Sequence, residues 1–510
     1  MEFRVEDIAL RSIMERNARL HPQREVVAFE NGERWTSDTA RREARKSAEV
    51  LRAHGVAAGD RVAVFLPNGA DFLRAWWGAH YLGAMIVPLN TALKGALLRH
   101  LVTIANPKLC VTHAEAELSL AEAVPHLPIL AAALLCSGTS ECTSLHQPAI
   151  DEPTLLMATS GTTGASKIVQ VSALHFAQYA NYIQVVGLDD RDRFLLDLPL
   201  FHMHAMGVMR SAQLSGVPVS LRAKPSLTRY WDIIRENSAT AISMVGTTAA
   251  RLEARPKEPR DGESGLKFVL AGPLPMDPQG FCRRFGIGRI ATTFGSTELG
   301  SVLVTDPDTM PVAGSCGHAR DIFDVKLIDG EGQLVRPGDT GELCVRPRHK
   351  AMKSSYFRNS EATEAAWRDD WFHTGDLLKA DSAGRYYFVD RLKDSIRRQG
   401  ENISSFEVEA EISAFPGIAE AACVAAPSDD GAGDEVKVWI CPKPDFQIDF
   451  TLLAAFMAAR VPKYMVPRFF EIEMNLPKTP SNKVQKSILR ARGNDAATWD
   501  SQIAKYSAER

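Results

Sequence analysis

Between about residues 24 and 300, short apolar or β-branched runs alternate with longer stretches whose apolar positions recur at helical spacing. The runs RVAVFLP (61–67), MIVPLN (85–90), KLCVTH (108–113), RFLLDLPLF (193–201), VPVSL (217–221), AISMVG (241–246) and KFVLAG (267–272) predict strands. Between the first two, Phe72, Leu73, Trp76, Ala79 and His80 recur at the spacing of a helix, so Trp76 and Trp77 are expected to pack against a sheet rather than face a ligand. Strands alternating with helices in this way predict layered α/β structure with largely parallel sheets.

From about 312 to 390 the texture changes. The runs DVKLID, GELCVRP and GRYYFVDR are joined by turn formers, DGEG (329–332) and RPGDTG (336–341), and predict an antiparallel β subdomain over 311–390. After Arg391, a helix near 406–415, the apolar runs AACVAAP and EVKVWICP, and a further helix over 452–460 predict an α+β unit. A boundary near 393 therefore divides the chain into 1–392 and 393–510. The stretch EARPKEPRDGESG (253–265) has the composition of an exposed, mobile loop.

With 510 residues, 45% of them hydrophobic, the chain can bury a large core, which excludes disorder, collagen and coiled coil. Lys plus Arg (59) nearly balances Asp plus Glu (62), so the net charge of -3 lacks the basic excess that nucleic acid would attract. The 8 cysteines form no CxxC pair and no zinc-like Cys/His spacing, which predicts a reduced, cytoplasmic chain. The first residues lack a signal-peptide layout, and the most apolar run, 127–136, is too short to span a bilayer, so no stable membrane insertion is expected.

Five segments carry candidate chemistry. Thr159-Ser160-Gly161-Thr162-Thr163-Gly164-Ala165-Ser166-Lys167 follows the apolar run TLLMA and offers hydroxyls, glycine-freed amides and one cation, the parts of a polyphosphate cradle. It fails the Walker pattern, because Ser166 precedes Lys167 and Ile168 follows it, and taken alone it reads equally as a solvated hairpin. Ala291-Thr292-Thr293-Phe294-Gly295-Ser296-Thr297-Glu298 sets a ring, hydroxyls and a carboxylate at a turn; it can stack a base and hold Mg²⁺, although taken alone it reads better as a buried Phe beside a surface Glu. Trp371-Phe372-His373-Thr374-Gly375-Asp376 ends in an acid able to accept two ribose hydroxyls, or only to form a turn. The fourth runs from Asp390 and Arg391 through Lys393 to Gly400-Glu401-Asn402. The fifth, Leu476-Pro477-Lys478-Thr479-Pro480-Ser481-Asn482-Lys483, is a Pro-stiffened loop presenting a lysine.

In this order and at these separations the five segments resemble the adenylate-forming superfamily of acyl-CoA synthetases, nonribosomal peptide adenylation domains and beetle luciferases. Asn68, GAMIVPLN (83–90), Leu198-Pro199-Leu200-Phe201-His202 and Gly341-Glu342-Leu343 extend the resemblance over nearly the whole chain. It implies a large N-terminal domain of layered α/β subdomains with a small β-barrel-like subdomain, and a smaller, mobile α+β C-terminal domain. By similarity, Thr159, Ser160, Gly161, Thr162, Thr163, Gly164 and Lys167 would wrap the β and γ phosphates of ATP. Glu298 would bind Mg²⁺, Thr297 would contact the α phosphate, and Phe294 with Gly295 would lie against adenine. Asp376 would hold the ribose with Arg391 beside it, and Lys483 would reach toward the carboxylate and α phosphate.

The resemblance further implies that coenzyme A attacks the acyl-adenylate after rotation about Lys393, which would turn Arg398 and Gly400 toward the thiol entrance. His202, Met206, Gly246, Ala271, Gly272 and Phe294 would line the acyl pocket; His202 reads equally as a core histidine, though the family setting favours a role in the site. The expected substrate is a small-molecule carboxylate, an apolar monocarboxylate of the fatty acid or crotonobetaine/carnitine kind. Coenzyme A is the expected acceptor because only about 27 residues follow Lys483, without a carrier domain. A stand-alone enzyme loading a carrier protein and a non-catalytic nucleotide binder are the alternatives, and a homodimer is compatible with the family. Five positions depart from the pattern: Phe294 stands for the usual Tyr, Ser166 and Ile168 flank Lys167 in place of Pro and Gly, and Asp390 and Asn482 replace Gly before Arg391 and Lys483.

Overall fold

The computed structural model describes residues 5–143, 146–159, 166–179, 183, 186–245, 248–392, 394, 396–398, 401–428, 434–479 and 483–502. Two mostly parallel sheets carry the first part of the chain. One runs Arg289–Ala291, Phe268–Gly272, Ala241–Val245, Phe194–Leu196, Val219–Leu221, Glu25–Phe29 and Arg34–Thr36, with only the last pair antiparallel. The other runs Ser355–Tyr356, Ile168–Ser172, Pro153–Ala158, Met85–Pro88, Arg61–Phe65, Leu109–Thr112 and Ile129–Ala131, parallel except at its first two pairings.

Alternation along the strands explains the layering. Val62 and Val64 join a core shared by both sheets, whereas Ala63 and Phe65 point to a second cluster with Leu98, Leu101 and Val102 of the helix Gly95–Ala105. Leu195, Ile242 and Val269 face away from the shared core, onto Trp231, Phe281 and Phe285. Helices thus lie between the two sheets and on both outer faces. Trp76 and Trp77 of the helix Ala70–Leu82 are fully buried in the shared core, as the helical spacing predicts.

The antiparallel part forms a sheet of 8 strands ordered Thr293–Ser296, Gly300–Val304, Ser315–Ala319, Tyr386–Arg391, Trp371–Ala380, Thr340–Pro347 and Phe323–Ile328, with Trp367–Arg368 on the side of Trp371–Ala380. It takes in strands that precede residue 311, and no pairing of its end strands with each other is seen among the described residues. Beyond it, Ile418–Pro427, Asp434–Pro442, Phe469–Ile472 and Trp499–Asp500 make a four-stranded sheet. Its two faces carry separate clusters, one with Cys423, Val436, Val438 and Ile440, the other with Ala422, Val424, Trp439 and Leu489. Both clusters draw only on residues after 395.

The stretch 253–265 is mostly solvent-facing, as its composition predicts, but it is tethered. Arg284 donates to the carbonyls of Glu253 (2.7 Å), Arg255 (2.9 Å) and Pro256 (3.0 Å) and pairs with Asp261 at 2.8 Å. A single guanidinium 20 to 30 positions away in sequence supplies an order that local composition does not reveal. Among the described residues no two cysteines are joined in a disulfide. No helix among the described residues is long and apolar enough to cross a membrane.

One buried cation tests the packing of the last sheet. Lys437, 1% exposed, donates to Glu471 Oε2 (2.6 Å), Thr498 Oγ1 (3.1 Å) and the Gly493 carbonyl, fastening the chain end to the sheet. Lys437→Ala strands the Glu471 carboxylate in the interior and is expected to cost about 3 kcal/mol or more in urea unfolding, whereas Lys437→Met combined with Glu471→Leu recovers most of it.

Candidate active site

The strands Pro153–Ala158 and Ile168–Ser172 pair antiparallel through Ala158 and Ile168, so the first motif bridges two neighbouring strand ends. Thr159 N–H donates to the Lys167 carbonyl at 2.8 Å. Ser160, Gly161, Thr162, Thr163 and Gly164 lie outside the described residues. The Lys167 ammonium sits over the Tyr356 ring, 4.5 Å from its centroid.

The second motif lies in the hairpin of Thr293–Ser296 and Gly300–Val304, where Ser296 pairs with Gly300. A side chain at Gly295 would place its Cβ 1.9 Å from the Gly300 carbonyl oxygen, so only glycine lets the hairpin close. Phe294 is half-buried with Phe388 at 6.1 Å between centroids. Thr297 and Glu298 form the turn. The Tyr356 hydroxyl donates to Glu298 Oε1 at 2.9 Å, and Ser354 Oγ donates to the Glu298 carbonyl at 2.6 Å.

Cross-strand register builds the third group. Asp376 of Trp371–Ala380 is the direct partner of Arg391 of Tyr386–Arg391, and Arg391 Nε lies 2.6 Å from Asp376 Oδ1. Asp376 is 6% exposed, and the pair is poorly aligned, so Oδ1 lacks a well-directed hydrogen bond although the charges touch. Burial pushes its carboxyl up to about 6, against the pull of Arg391 and Lys483 and with the push of Glu298 and Glu342. The turn before it is fixed by Glu342, which accepts the Gly375 N–H on Oε1 (3.0 Å) and faces His373 Nδ1 through Oε2 (2.9 Å). Gly375 has φ +67°, which glycine adopts without strain. Cys344 Sγ stands 3.6 Å from the same imidazole nitrogen, but with both Glu342 oxygens already engaged this trio serves to hold the His373–Asp376 turn.

Lys483 joins these groups from the last part of the chain. Its charge interacts with Arg391, Asp376, Glu298 and His202. Lys483 and His202 are open to solvent along the cleft yet surrounded by protein, and this crowding disfavours their charged forms. The ammonium is lowered first by burial and then by Arg391, while His202 is pushed down to about 4 by burial and then by Lys483. His202 precedes the helix Met203–Ser215, and Asn68 holds the approach: its Nδ2 donates to the Leu198 and Arg222 carbonyls (both 2.9 Å), and its Oδ1 accepts the Leu200 N–H (2.7 Å). His204, one turn position on, bonds Ser243 Oγ at 3.1 Å and meets the edge of the Tyr179 ring.

Other expected residues fall differently. Met206 and Ala271 are fully buried in hydrophobic clusters, and Gly272 ends the strand Phe268–Gly272. Arg398 is occupied elsewhere, donating to the Tyr464 (3.1 Å) and Val466 (2.8 Å) carbonyls and lying 2.7 Å from Glu435, so this structure does not bring it to Lys483. Gly246, Lys393 and Gly400 lie outside the described residues. The substitution at Asp390 has a structural consequence: its buried carboxylate accepts the Arg391 N–H (2.7 Å), the Ser405 N–H (2.5 Å) and the Ser405 hydroxyl (2.7 Å), and Lys486 donates to that hydroxyl at 2.5 Å. Tyr356, Ser354, Tyr179 and His204 were not singled out by sequence reading; each lies outside a glycine-rich or charged motif, and only the fold shows their neighbours.

Two acids and two cations whose charges interact, with Ser296 Oγ and Asp376 Oδ1 buried without hydrogen-bond partners, make a group suited to a polar, charged ligand. The family model for AMP-binding enzymes matches residues 14–356, and the model for their C-terminal domain matches residues 407–483. The chain belongs to the AMP-binding enzyme family, the acyl-CoA synthetase group that the sequence resembles. It is 32% identical over 94% of its length to a feruloyl-CoA synthase of Amycolatopsis sp, covering 97% of that protein. It is 28% identical to the long-chain-fatty-acid–CoA ligase FadD13 of Mycobacterium tuberculosis, with 88% of this chain and 91% of that one aligned. Among solved structures, the o-succinylbenzoate–CoA synthetase of Bacillus subtilis in complex with ATP and magnesium ion superposes with a TM-score of 0.83 at 27% identity, covering 95% of this chain and 99% of the other.

The raised Asp376 carboxyl gives a test with a definite sign. The unfolded chain loses this proton near 3.8 and the folded chain near 6, so the folded state loses stability as pH rises between these values and does not regain it above them. Asp376→Asn is expected to stabilise the fold by about 1–3 kcal/mol near pH 7.5 and to give no gain near pH 4, measured by urea unfolding at both pH values. Equal effects at the two values would contradict this.

Proposed function

We propose that this protein is an ATP-dependent carboxylic acid–CoA ligase that first joins the acid to AMP, releasing pyrophosphate, and then passes the acyl group to the thiol of coenzyme A, releasing AMP. The observation that carries the reading is the meeting of Glu298, Asp376, Arg391 and Lys483 around one cleft, although they come from four separate segments. A carboxylate and a polyphosphate repel, and fixed cations are what allow a carboxylate oxygen to approach the α phosphorus.

In this reading the Thr159–Lys167 loop holds the outer phosphates, Phe294 and Gly295 lie along the adenine, and Asp376 accepts the ribose hydroxyls with Arg391 beside it. Lys483 lies against the attacking carboxylate and the α phosphate, where its charge offsets the negative charge that grows as the new P–O bond forms and the bond to pyrophosphate breaks. Glu298 is a hard oxygen donor with Oε1 occupied by Tyr356 and its other oxygen left over, which suits Mg²⁺; when bound, the ion neutralises phosphate charge. His202 and His204, both held neutral near 4, stand with Tyr179 and the exposed Val245 on the acyl side and favour a monocarboxylate with an uncharged, apolar or aromatic body.

The chain divides near Lys393 into the two domains this chemistry uses, and the enzyme works in the cytoplasm. In this reading, Lys483 beside Asp376 and Arg391, with Arg398 bound elsewhere, is the arrangement that serves adenylation. Thiol transfer requires the C-terminal domain to turn about Lys393, and Asp390 must then release Ser405, so Asp390 weights the balance between the two half-reactions.

The test is pyrophosphate release with Mg-ATP across a panel of fatty, aryl-propenoic and betaine acids, with and without coenzyme A. Turnover that depends on both one acid class and coenzyme A is expected, and Lys483→Ala should lose at least ~10²-fold of it. A single burst that coenzyme A cannot convert to turnover would redirect the acyl group to a carrier protein, and no release from any acid would overturn the ligase reading.

A further inference from the structure

Tyr356 stands between the two charged groups that this reading sets against the phosphates. Its ring lies beneath the Lys167 ammonium at 4.5 Å, and its hydroxyl donates to Glu298 Oε1 at 2.9 Å. One side chain therefore contacts a cation on its face and an anion at its tip. Backbone contacts hold Tyr356 and its neighbours in place. Ser355 and Tyr356 pair with Gln170 and Val169 at the sheet edge, Phe357 N–H donates to the Ile168 carbonyl (2.7 Å), and Tyr356 N–H donates to Thr363 Oγ1 (3.0 Å). Ser354, 4% exposed, binds the Glu298 carbonyl, and its own carbonyl accepts from Trp367 Nε1 at 3.0 Å. The segment 354–357 thus ties the lysine end of the first motif to the carboxylate of the second, across about 130 positions of sequence.

Physical reasoning says what such a spacer does. A lysine and a glutamate free to approach would form a direct ion pair, satisfying each other and withdrawing both charges from a ligand. A phenol ring keeps the ammonium on an aromatic face, where it is stabilised without losing its N–H donors to a carboxylate. The hydroxyl takes one carboxylate oxygen and fixes the direction of the other, as partners of metal-holding carboxylates do.

We propose that Tyr356 is a positioning residue that holds Glu298 and Lys167 apart and aimed, so that one serves the metal ion and the other the phosphates of ATP. The proposal rests on the ligase reading for the identity of the ligand. Its test reads ATP binding rather than turnover and needs no knowledge of the acid.

ATP binding is measured by calorimetry on the full chain, in EDTA and across a Mg²⁺ titration. Tyr356→Phe keeps the ring and loses the hydroxyl; it is expected to leave ATP binding in EDTA unchanged while raising the Mg²⁺ concentration for half-maximal tightening by roughly tenfold. Tyr356→Leu loses the ring as well and is expected to weaken ATP binding in EDTA by about 2- to 5-fold in addition. In a Glu298→Gln background, adding Tyr356→Phe should produce no further shift, because the group it acts through is gone. A Mg²⁺ dependence in Tyr356→Phe equal to wild type, even with a lowered melting temperature, would overturn the positioning role and leave a structural one. Failure of the wild type to bind ATP at all would instead overturn the reading on which the proposal rests.

Discussion

The contact between Asp376 and Arg391 is the constraint on which the rest of the site depends. It pairs two adjacent strands of the antiparallel sheet, removes a carboxylate almost wholly from water, and stands where the chain leaves that sheet for its last sheet. Burying an acid costs free energy unless charge and hydrogen bonds compensate, and here the compensation is incomplete, since one oxygen has no well-directed donor. The remaining capacity is what a ribose would use. Around this pair the structure arranges support of increasing reach: Glu342 and His373 hold the turn before Asp376, Asp390 holds the chain just before Arg391, and Lys483 approaches from the far segment.

Such a site is costly when empty. Asp376 and Lys483 are both displaced toward their neutral forms, and Ser296 Oγ and Asp376 Oδ1 are buried without well-directed hydrogen-bond partners. Stability is spent on readiness, and the large apolar core between the two parallel sheets, with Trp76 and Trp77 at its centre, is what makes that tolerable. The acyl side proposed above is different in character. Neutral imidazoles and apolar side chains would impose little electrostatic demand there, so one activation chemistry could serve different acids by changes in this lining alone.

Much of this was legible before the fold was known. Alternating apolar runs predicted the parallel strands, turn formers predicted the antiparallel part, and helical spacing placed Trp76 and Trp77 in the core. The family resemblance singled out Glu298, Asp376, Arg391 and Lys483, and the fold brings their charges within reach of one another. What escaped was anything defined by partnership. Tyr356 sits in SSYFRN, which resembles any strand end, and its meaning comes from Lys167 and Glu298 meeting it in space. Arg284 likewise looks like a surface arginine until its three carbonyl partners are seen, and 253–265 reads as mobile for the same reason. Met206 is a case where motif position pointed to a pocket and the side chain is fully buried in the shared hydrophobic cluster.

The central claim is that a carboxylate oxygen of the substrate attacks the α phosphorus of ATP. The most direct measurement is isotopic: an acid labelled with ¹⁸O in its carboxylate is turned over with Mg-ATP and coenzyme A, and the nucleotide product is analysed by mass spectrometry. Attack at the α phosphorus, followed by thiol attack at the acyl carbon, leaves one ¹⁸O in AMP and none in pyrophosphate. Label appearing in inorganic phosphate beside ADP, or AMP formed without label, would contradict it.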